Sequence, residues 1–269
     1  MPVTQRARHP AEHQHQLRLI GDQQGTALEC VLAVHSYLED LMSKLKLVSL
    51  SLLALAGMQS TAAFAADAGY YVGGRVIGAE HKARSMDASA RPGIGAFVPG
   101  QEKDKFTTGS LALGYQFGNG WRVEGEYTLP KRDTFTSGST AFPASNNVNY
   151  IRAQRLMANV YRDFAVTDQV SLYASAGLGI ARIKSDGWQG MPTRTYNVGR
   201  QDNLTWSLGA GVAYSPIEKL TLDLGYRYAD MGQAQSGWNA FTNARMLQDE
   251  YMRANVVSSE VYLGARWSF

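Results

Sequence analysis

The chain has 269 residues and a formal net charge of +3, from 26 Lys and Arg against 23 Asp and Glu. So small an excess gives no argument for nucleic acid as a partner. A mean hydropathy of −0.25 would suit a soluble protein, but barrel strands hide their apolar residues by alternation, so a membrane barrel is not excluded.

The only long apolar run, Leu45 to Gly57, comes after Met42-Ser43-Lys44-Leu45-Lys46 and precedes Ala63-Phe64-Ala65. Two lysines, about a dozen apolar residues and a small-x-small site compose a secretory signal peptide, with cleavage before Ala66. The run is too short for a transmembrane helix, which needs roughly 20 apolar residues. Residues 1–41 are polar and hold four of the five histidines and the only cysteine, Cys30. They share no pattern with the rest of the chain. We expect them to be upstream sequence, with Met42 the true start and 42–65 the leader; an extended n-region is the alternative. A mature chain from Ala66 to Phe269 contains no cysteine. It can form no disulfide or thiolate metal site, and neither cofactor nor metal is expected.

From Tyr70 onward the residues alternate apolar and polar with period 2, the signature of strands. Eight such segments occur in order: 70–82, 106–117, 121–129, 150–164, 170–183, 203–214, 220–228 and 256–269. The fifth, for example, sets Leu172, Ala174, Ala176, Leu178 and Ile180 against Ser171, Tyr173, Ser175, Gly177 and Gly179. Helical spacing would mix the two sets. The connections alternate as well. Those at 118–120, 165–169 and 215–218 are short, while 83–105, 130–149, 184–202 and 230–254 are long and polar. Short turns at one rim and long loops at the other are the outer-membrane arrangement, with both termini on the periplasmic side. The last strand, Val256 to Phe269, would be an aggregation-prone apolar edge unless it closes against the first.

Trp206 and Tyr214 lie eight residues apart, or roughly 26 Å along a strand. A tilt of about 40° brings this to roughly 20 Å of membrane height, the spacing of two aromatic girdles. Phe117, Trp121, Phe164, Tyr214 and Phe269 then form the periplasmic girdle, and Tyr127, Trp206 and Tyr228 the outer one. The alternative is the aromatic core of a soluble sandwich.

These segments resemble the small eight-stranded outer-membrane barrels, the transmembrane domain of OmpA and the opacity-type surface proteins, over Ala66 to Phe269. Ala66 to Gly74, Ala-Asp-Ala-Gly-Tyr-Tyr-Val-Gly-Gly, is similar to the opening of opacity-family barrels. Gly264-x-x-Trp267-x-Phe269 resembles the terminal signal read by the barrel-assembly machinery, although Tyr262 stands where a polar residue is usual. The resemblance implies an all-β, eight-stranded antiparallel up-and-down barrel exported to the bacterial outer membrane. Its implied partners are outer-membrane lipid and lipopolysaccharide, with assembly machinery and periplasmic chaperones during biogenesis. The peptidoglycan-binding role of full OmpA proteins is not carried over.

The predicted inward set includes Arg122, Glu124, Glu126, Arg155, Asp223, Arg227, Glu260 and Arg266, four of each sign. Such charges are tolerated inside only if paired or wetted. Two readings are open, a neutral salt-bridged plug and a gated, low-conductance ion or small-solute channel. Inward Gly177, Gly179, Gly209, Gly211, Gly225 and Gly264 make room for the arginines and Tyr173. No catalytic residue is assigned. Lipid-A-modifying enzymes do occur on eight-stranded barrels, and such hydrolases need a His base. The one histidine after the leader, His81, is expected as a solvated residue at the outer edge of the first strand.

Centring the 150–183 hairpin on Thr167 places Arg152 across from Arg182, with Leu156 facing Leu178 and Val160 facing Ala174. Opposed like charges on the lipid face invite an anion between them, and lipid-A phosphate is the expected one. The alternatives are arginines that snorkel into headgroups or a register displaced by two residues. The long loops are left as the place for surface contact with a ligand of unknown kind. Asn243 to Tyr251 is expected as a short helix over the mouth, and Trp188 and Trp238 as loop aromatics that anchor a partner or the loops themselves.

Overall fold

A computed structural model describes residues 68–88 and 96–269. Residues 1–41, the leader 42–65 and its cleavage residues Ala63, Ala65 and Ala66 lie outside the described residues.

The strands are β1 (Gly69–Ala88), β2 (Phe97–Pro99), β3 (Lys103–Gln116), β4 (Trp121–Ser139), β5 (Phe142–Ala165), β6 (Val170–Gln189), β7 (Met191–Ile217), β8 (Leu220–Gln235) and β9 (Met252–Ser268). All except β2 form an eight-stranded antiparallel ring in sequence order. β9 closes on β1, with Trp267 opposite Val72 and Val261 opposite Gly78. The Phe269 N–H donates to the Tyr70 carbonyl at 3.0 Å. Short β2 lies along the tip of β4, Phe97 opposite Ser139.

Parity decides what each side chain meets. Leu111, Leu204 and Leu263 stand 65%, 77% and 64% exposed on the outer wall. Neighbouring inward residues such as Arg122, Glu126 and Tyr71 are fully buried. So continuous an exposed apolar belt is a liability in water and the required surface in lipid. Phe117, Trp121, Tyr214 and Phe269 are exposed at one end of the belt, Tyr127 and Trp206 at the other.

Turns at the periplasmic rim are tight. Gly120 adopts φ +79, and the Phe117 N–H donates to the Trp121 carbonyl at 2.8 Å. At the next turn, Thr167 Oγ1 accepts from the Val170 N–H at 3.0 Å. That closure sets Ala165 opposite Ser171. At the other rim, the segments 130–149 and 184–202 are mostly strand: β4 and β5 continue to Ser139 and Phe142, and β6 and β7 turn only at Gly190.

Above the apolar belt the alternation inverts. Phe135, Ile151, Ile183, Met231 and Val256 point inward and form a fully or almost fully buried apolar cluster. Arg152 and Lys184 point outward into solvent. The barrel therefore extends past the membrane with the inside dry and the outside polar. The segment Asn243–Tyr251 is a turn rather than a helix. Asn243 Oδ1 accepts from the Arg245 and Leu247 N–H groups, at 2.9 and 3.1 Å, and so competes with helical pairing.

The glycines face aromatic rings and an amide as much as arginines. A Cβ on Gly211 or Gly225 would sit 2.3 Å from the Tyr173 hydroxyl, and one on Gly264 3.1 Å from Arg75 Cγ. Tyr173 donates to the Tyr262 hydroxyl at 3.0 Å, so neither ring is free to withdraw. Gly225→Ala is expected to destabilise the refolded barrel by about 1–3 kcal/mol through overpacking. Urea unfolding in detergent micelles measures this, and an unchanged midpoint would show that the tyrosine pair yields.

Candidate functional site

Two places concentrate chemistry-bearing side chains: the lumen within the membrane belt and the outer wall just above it. In the lumen, Arg75 from β1 grips Glu124 from β4 with two parallel bonds, both 2.8 Å. Glu124 also accepts from the Tyr71 and Tyr161 hydroxyls, each at 3.0 Å. Arg122 reaches Asp163 at 3.0 Å and lies 3.7 Å over the Tyr161 ring. Glu126 meets Arg227 at 2.5 Å and Asn159 at 3.0 Å. Glu260 meets Arg227 at 2.7 Å, receives the Ser258 hydroxyl at 2.8 Å and pairs with Arg155. Arg266 and Asp223 form a separate pair at 2.9 Å.

All eight residues of the predicted lumen set are therefore inward, buried and paired. The structure adds Arg75 and Asp163, making five arginines and five carboxylates. Arg75 had a visible signal. It shares parity with Tyr71 and Ile77 on a strand whose other face is Tyr70, Val72 and Val76. Asp163 had one as well, since it continues the inward parity of Arg155, Met157, Asn159 and Tyr161 to the periplasmic end of β5.

His81 corrects an expectation. It is not a solvated rim residue but 6% exposed inside the barrel, with Nδ1 2.7 Å from Asp133 Oδ2. Phe106 packs edge-on against its ring, with centroids 4.5 Å apart. The reason is parity, since His81 continues the inward series Ile77, Ala79 on a strand longer than the belt. Burial pushes the Asp133 carboxyl up, against the opposing hydrogen bond from the imidazole. No hydroxyl is hydrogen-bonded to His81 among the described residues.

The Arg152–Arg182 pair is also corrected. Arg152 lies opposite Lys184, and Arg182 opposite Gln154. Leu156 accordingly faces Ile180, and Val160 faces Ala176. The turn held by Thr167 displaces the register by two residues from the expected one, which leaves every face unchanged. Arg182 is instead taken by Asp202 on β7, at 2.9 Å. That hydrogen bond holds the Asp202 carboxyl below the usual range.

At the extracellular tip, a cleft of about 590 Å3 is lined by Val98, Thr136, Ser139, Thr140, Asn146 and Trp188, among others. Trp188, next to the end of β6, points its indole N–H at the Tyr150 hydroxyl, 3.4 Å away. Trp238 is 53% exposed, its ring edge-on to Tyr251 with centroids 5.2 Å apart. Of the terminal motif, Gly264 is inward beside Arg75, and Trp267 and Phe269 are outward and exposed.

Known outer-membrane proteins resemble the chain over much of its length. The Salmonella typhimurium outer membrane protein PagN is 26% identical over 199 residues, covering 65% of this chain and 77% of that protein. Among solved structures, Neisserial surface protein A is 20% identical, covering 75% of this chain and 97% of its own, with a TM-score of 0.44. Ail, the attachment invasion locus protein of Yersinia pestis, is 18% identical over 75% of this chain and 99% of its own, with a TM-score of 0.37. Residues 50–269 match the family described as outer membrane protein beta-barrel domain; the chain belongs to that family, and its place is the bacterial outer membrane.

Proposed function

We propose that this barrel is a non-enzymatic surface protein, with a lumen that is structural core and an extracellular end that makes contact outside the cell. The observation that carries the reading is the way the interior is filled. The charge network occupies the membrane belt, and the apolar cluster around Phe135, Ile151, Ile183, Met231 and Val256 lies above it. An ion entering from outside would meet this apolar layer, in which the one carboxylate opposite Ile151, Asp133, is already paired with His81, a costly route for a charged solute. The arginines below are held by carboxylates that balance them.

The extended hairpins β4–β5 and β6–β7 support the contact role. Their ladders and filled interior make the extracellular end a stiff platform, and recognition surfaces carried on rigid elements lose little entropy on binding. The tip cleft offers hydroxyls, an amide and an indole without a charged lining residue. That chemistry suits a neutral, hydroxyl-bearing ligand better than a polyanion. A histidine without a hydroxyl partner supports the absence of catalysis.

Three outcomes are expected. Refolded protein in planar bilayers gives no discrete conductance steps, and steady steps would return the channel reading. Glu260→Gln leaves Arg155 without its carboxylate and Arg227 with Glu126 alone, and lowers unfolding free energy by about 3–5 kcal/mol. Arg182→Gln, which breaks an exposed pair, leaves the urea midpoint almost unchanged. Equal losses in urea titration would show that the lumen network is not core. Bacteria displaying the chain should attach to arrayed glycans and host cells more than bacteria lacking it. A Trp188→Ala/Trp238→Ala variant with normal heat-modifiable migration should lose that gain; equal attachment by all three strains overturns the contact role.

A further inference from the structure

The observed register lines up four cations that the sequence gives no reason to associate. Arg132 on β4 lies directly opposite Arg152 on β5, Arg152 opposite Lys184 on β6, and Lys184 opposite Arg200 on β7. All four are exposed on the outer wall. They form a single row across four adjacent strands, roughly 14 Å wide at ordinary strand spacing. Directly opposed like charges on one sheet face repel.

The protein supplies little to relieve them. Asp186 stands 3.8 Å from Arg132, and the Tyr150 ring lies 3.9 Å from the same guanidinium. Arg152, Lys184 and Arg200 have no ion pair among the described residues. The row beneath is different. Gln154, Arg182 and Asp202 are in register there, and the Arg182–Asp202 pair neutralises it. Beneath that again come Leu156, Ile180 and Leu204, 61%, 55% and 77% exposed to what must be lipid. From the apolar row upward the wall is thus greasy, then neutral, then cationic, in steps of two residues.

Height identifies the anion. The cationic row is four residues above the last apolar row, roughly 13 Å along the strand and about 10 Å along the membrane normal at a 40° tilt. Arginine and lysine bend their heads back toward the interface while their stems lie on the wall. The row runs perpendicular to strands tilted about 40°, so it climbs roughly 9 Å from end to end, and with the reach of the side chains its four cationic heads fall within the band of outer-leaflet headgroups, where guanidinium forks suit phosphate. We propose that Arg132, Arg152, Lys184 and Arg200 form a docking row for phosphate groups of the outer-leaflet lipid, lipid A being the matching source. The row binds the barrel to its lipid neighbours on the β4–β7 side. It is independent of the contact role of the tip, and only membrane insertion is required.

The test uses the refolded barrel in detergent, with lipid A added at graded concentration and retention read by native mass spectrometry. Wild type should retain bisphosphorylated lipid A at least tenfold better than its dephosphorylated form. The Arg132→Gln/Arg152→Gln/Lys184→Gln/Arg200→Gln variant should lose that preference. Arg182→Gln should keep it, because its charge is already paired. Heat-modifiable migration separates loss of binding from loss of fold, and the variant Arg132→Lys/Arg152→Lys/Arg200→Lys, which preserves charge, should retain most of the preference. Equal retention of both lipids by wild type, or an unchanged preference in the Gln variant, overturns the proposal.

Discussion

The ladder between β1 and β9 is the constraint on which the molecule depends. In hydrocarbon, an unpaired backbone amide or carbonyl has no water to turn to, so a sheet can cross only if it has no edge. The pairing of Tyr71 with Ser268 through Lys82 with Val257 removes that edge. Closure has a second effect, because it divides the side chains into an inside and an outside that cannot exchange. Each strand then faces lipid with one parity and the lumen with the other. The placement of every charge in the wall and the lumen derives from that division.

Inside the belt, closure with eight strands leaves room for side chains but not for a wide water column. Ionised groups placed there must offset one another, and five arginines against five carboxylates balance in charge through bidentate and shared bonds, while both terminal nitrogens of Arg122 have no hydrogen-bond partner. Glu126 and Glu260 share Arg227, and the network links β1, β4, β5, β8 and β9 across the lumen. Such a network stabilises less than its Coulomb attraction suggests, because burying each ion costs solvation. Its sharper effect is on register: a displaced strand would leave a buried charge opposite the wrong partner. The charges thus specify the closed arrangement that the backbone alone leaves open.

How much of this was legible from the residues can be judged strand by strand. The barrel, its strand number and the inward set were readable because parity is a local property, written in every second residue. Register is not local. The β5–β6 hairpin can move by two residues and keep Leu156, Ala158 and Val160 facing lipid, so alternation places no penalty on the wrong pairing. The Thr167 turn decides it, and the consequence is large: Arg152 meets Lys184, not Arg182. His81 and the strand extensions were obscured by a different effect. Where the wall leaves the membrane, water replaces lipid outside, and the alternation inverts from Leu156-out and Arg155-in to Arg152-out and Ile151-in. The segments 130–149 and 184–202 lie above the belt, and irregularities at Ser137/Ser139 and Ser185/Gly187 break their period, so they read as polar loop.

That inversion also locates the membrane boundary without any lipid present. On the outer wall the change from apolar to charged falls between Leu156 and Arg152 on β5, between Ile180 and Lys184 on β6, and between Leu204 and Arg200 on β7. The three are laterally adjacent, because Leu156 faces Ile180 and Ile180 faces Leu204. The boundary thus follows one register line over three neighbouring strands, which at a tilt of about 40° rises roughly 6 Å from β5 to β7 and stays within the thickness of a headgroup layer. The same registration that draws the boundary draws the cationic row above it. The repulsion within that row is therefore a property of how the barrel meets its membrane, and the anionic headgroups at that level are the groups placed to offset it.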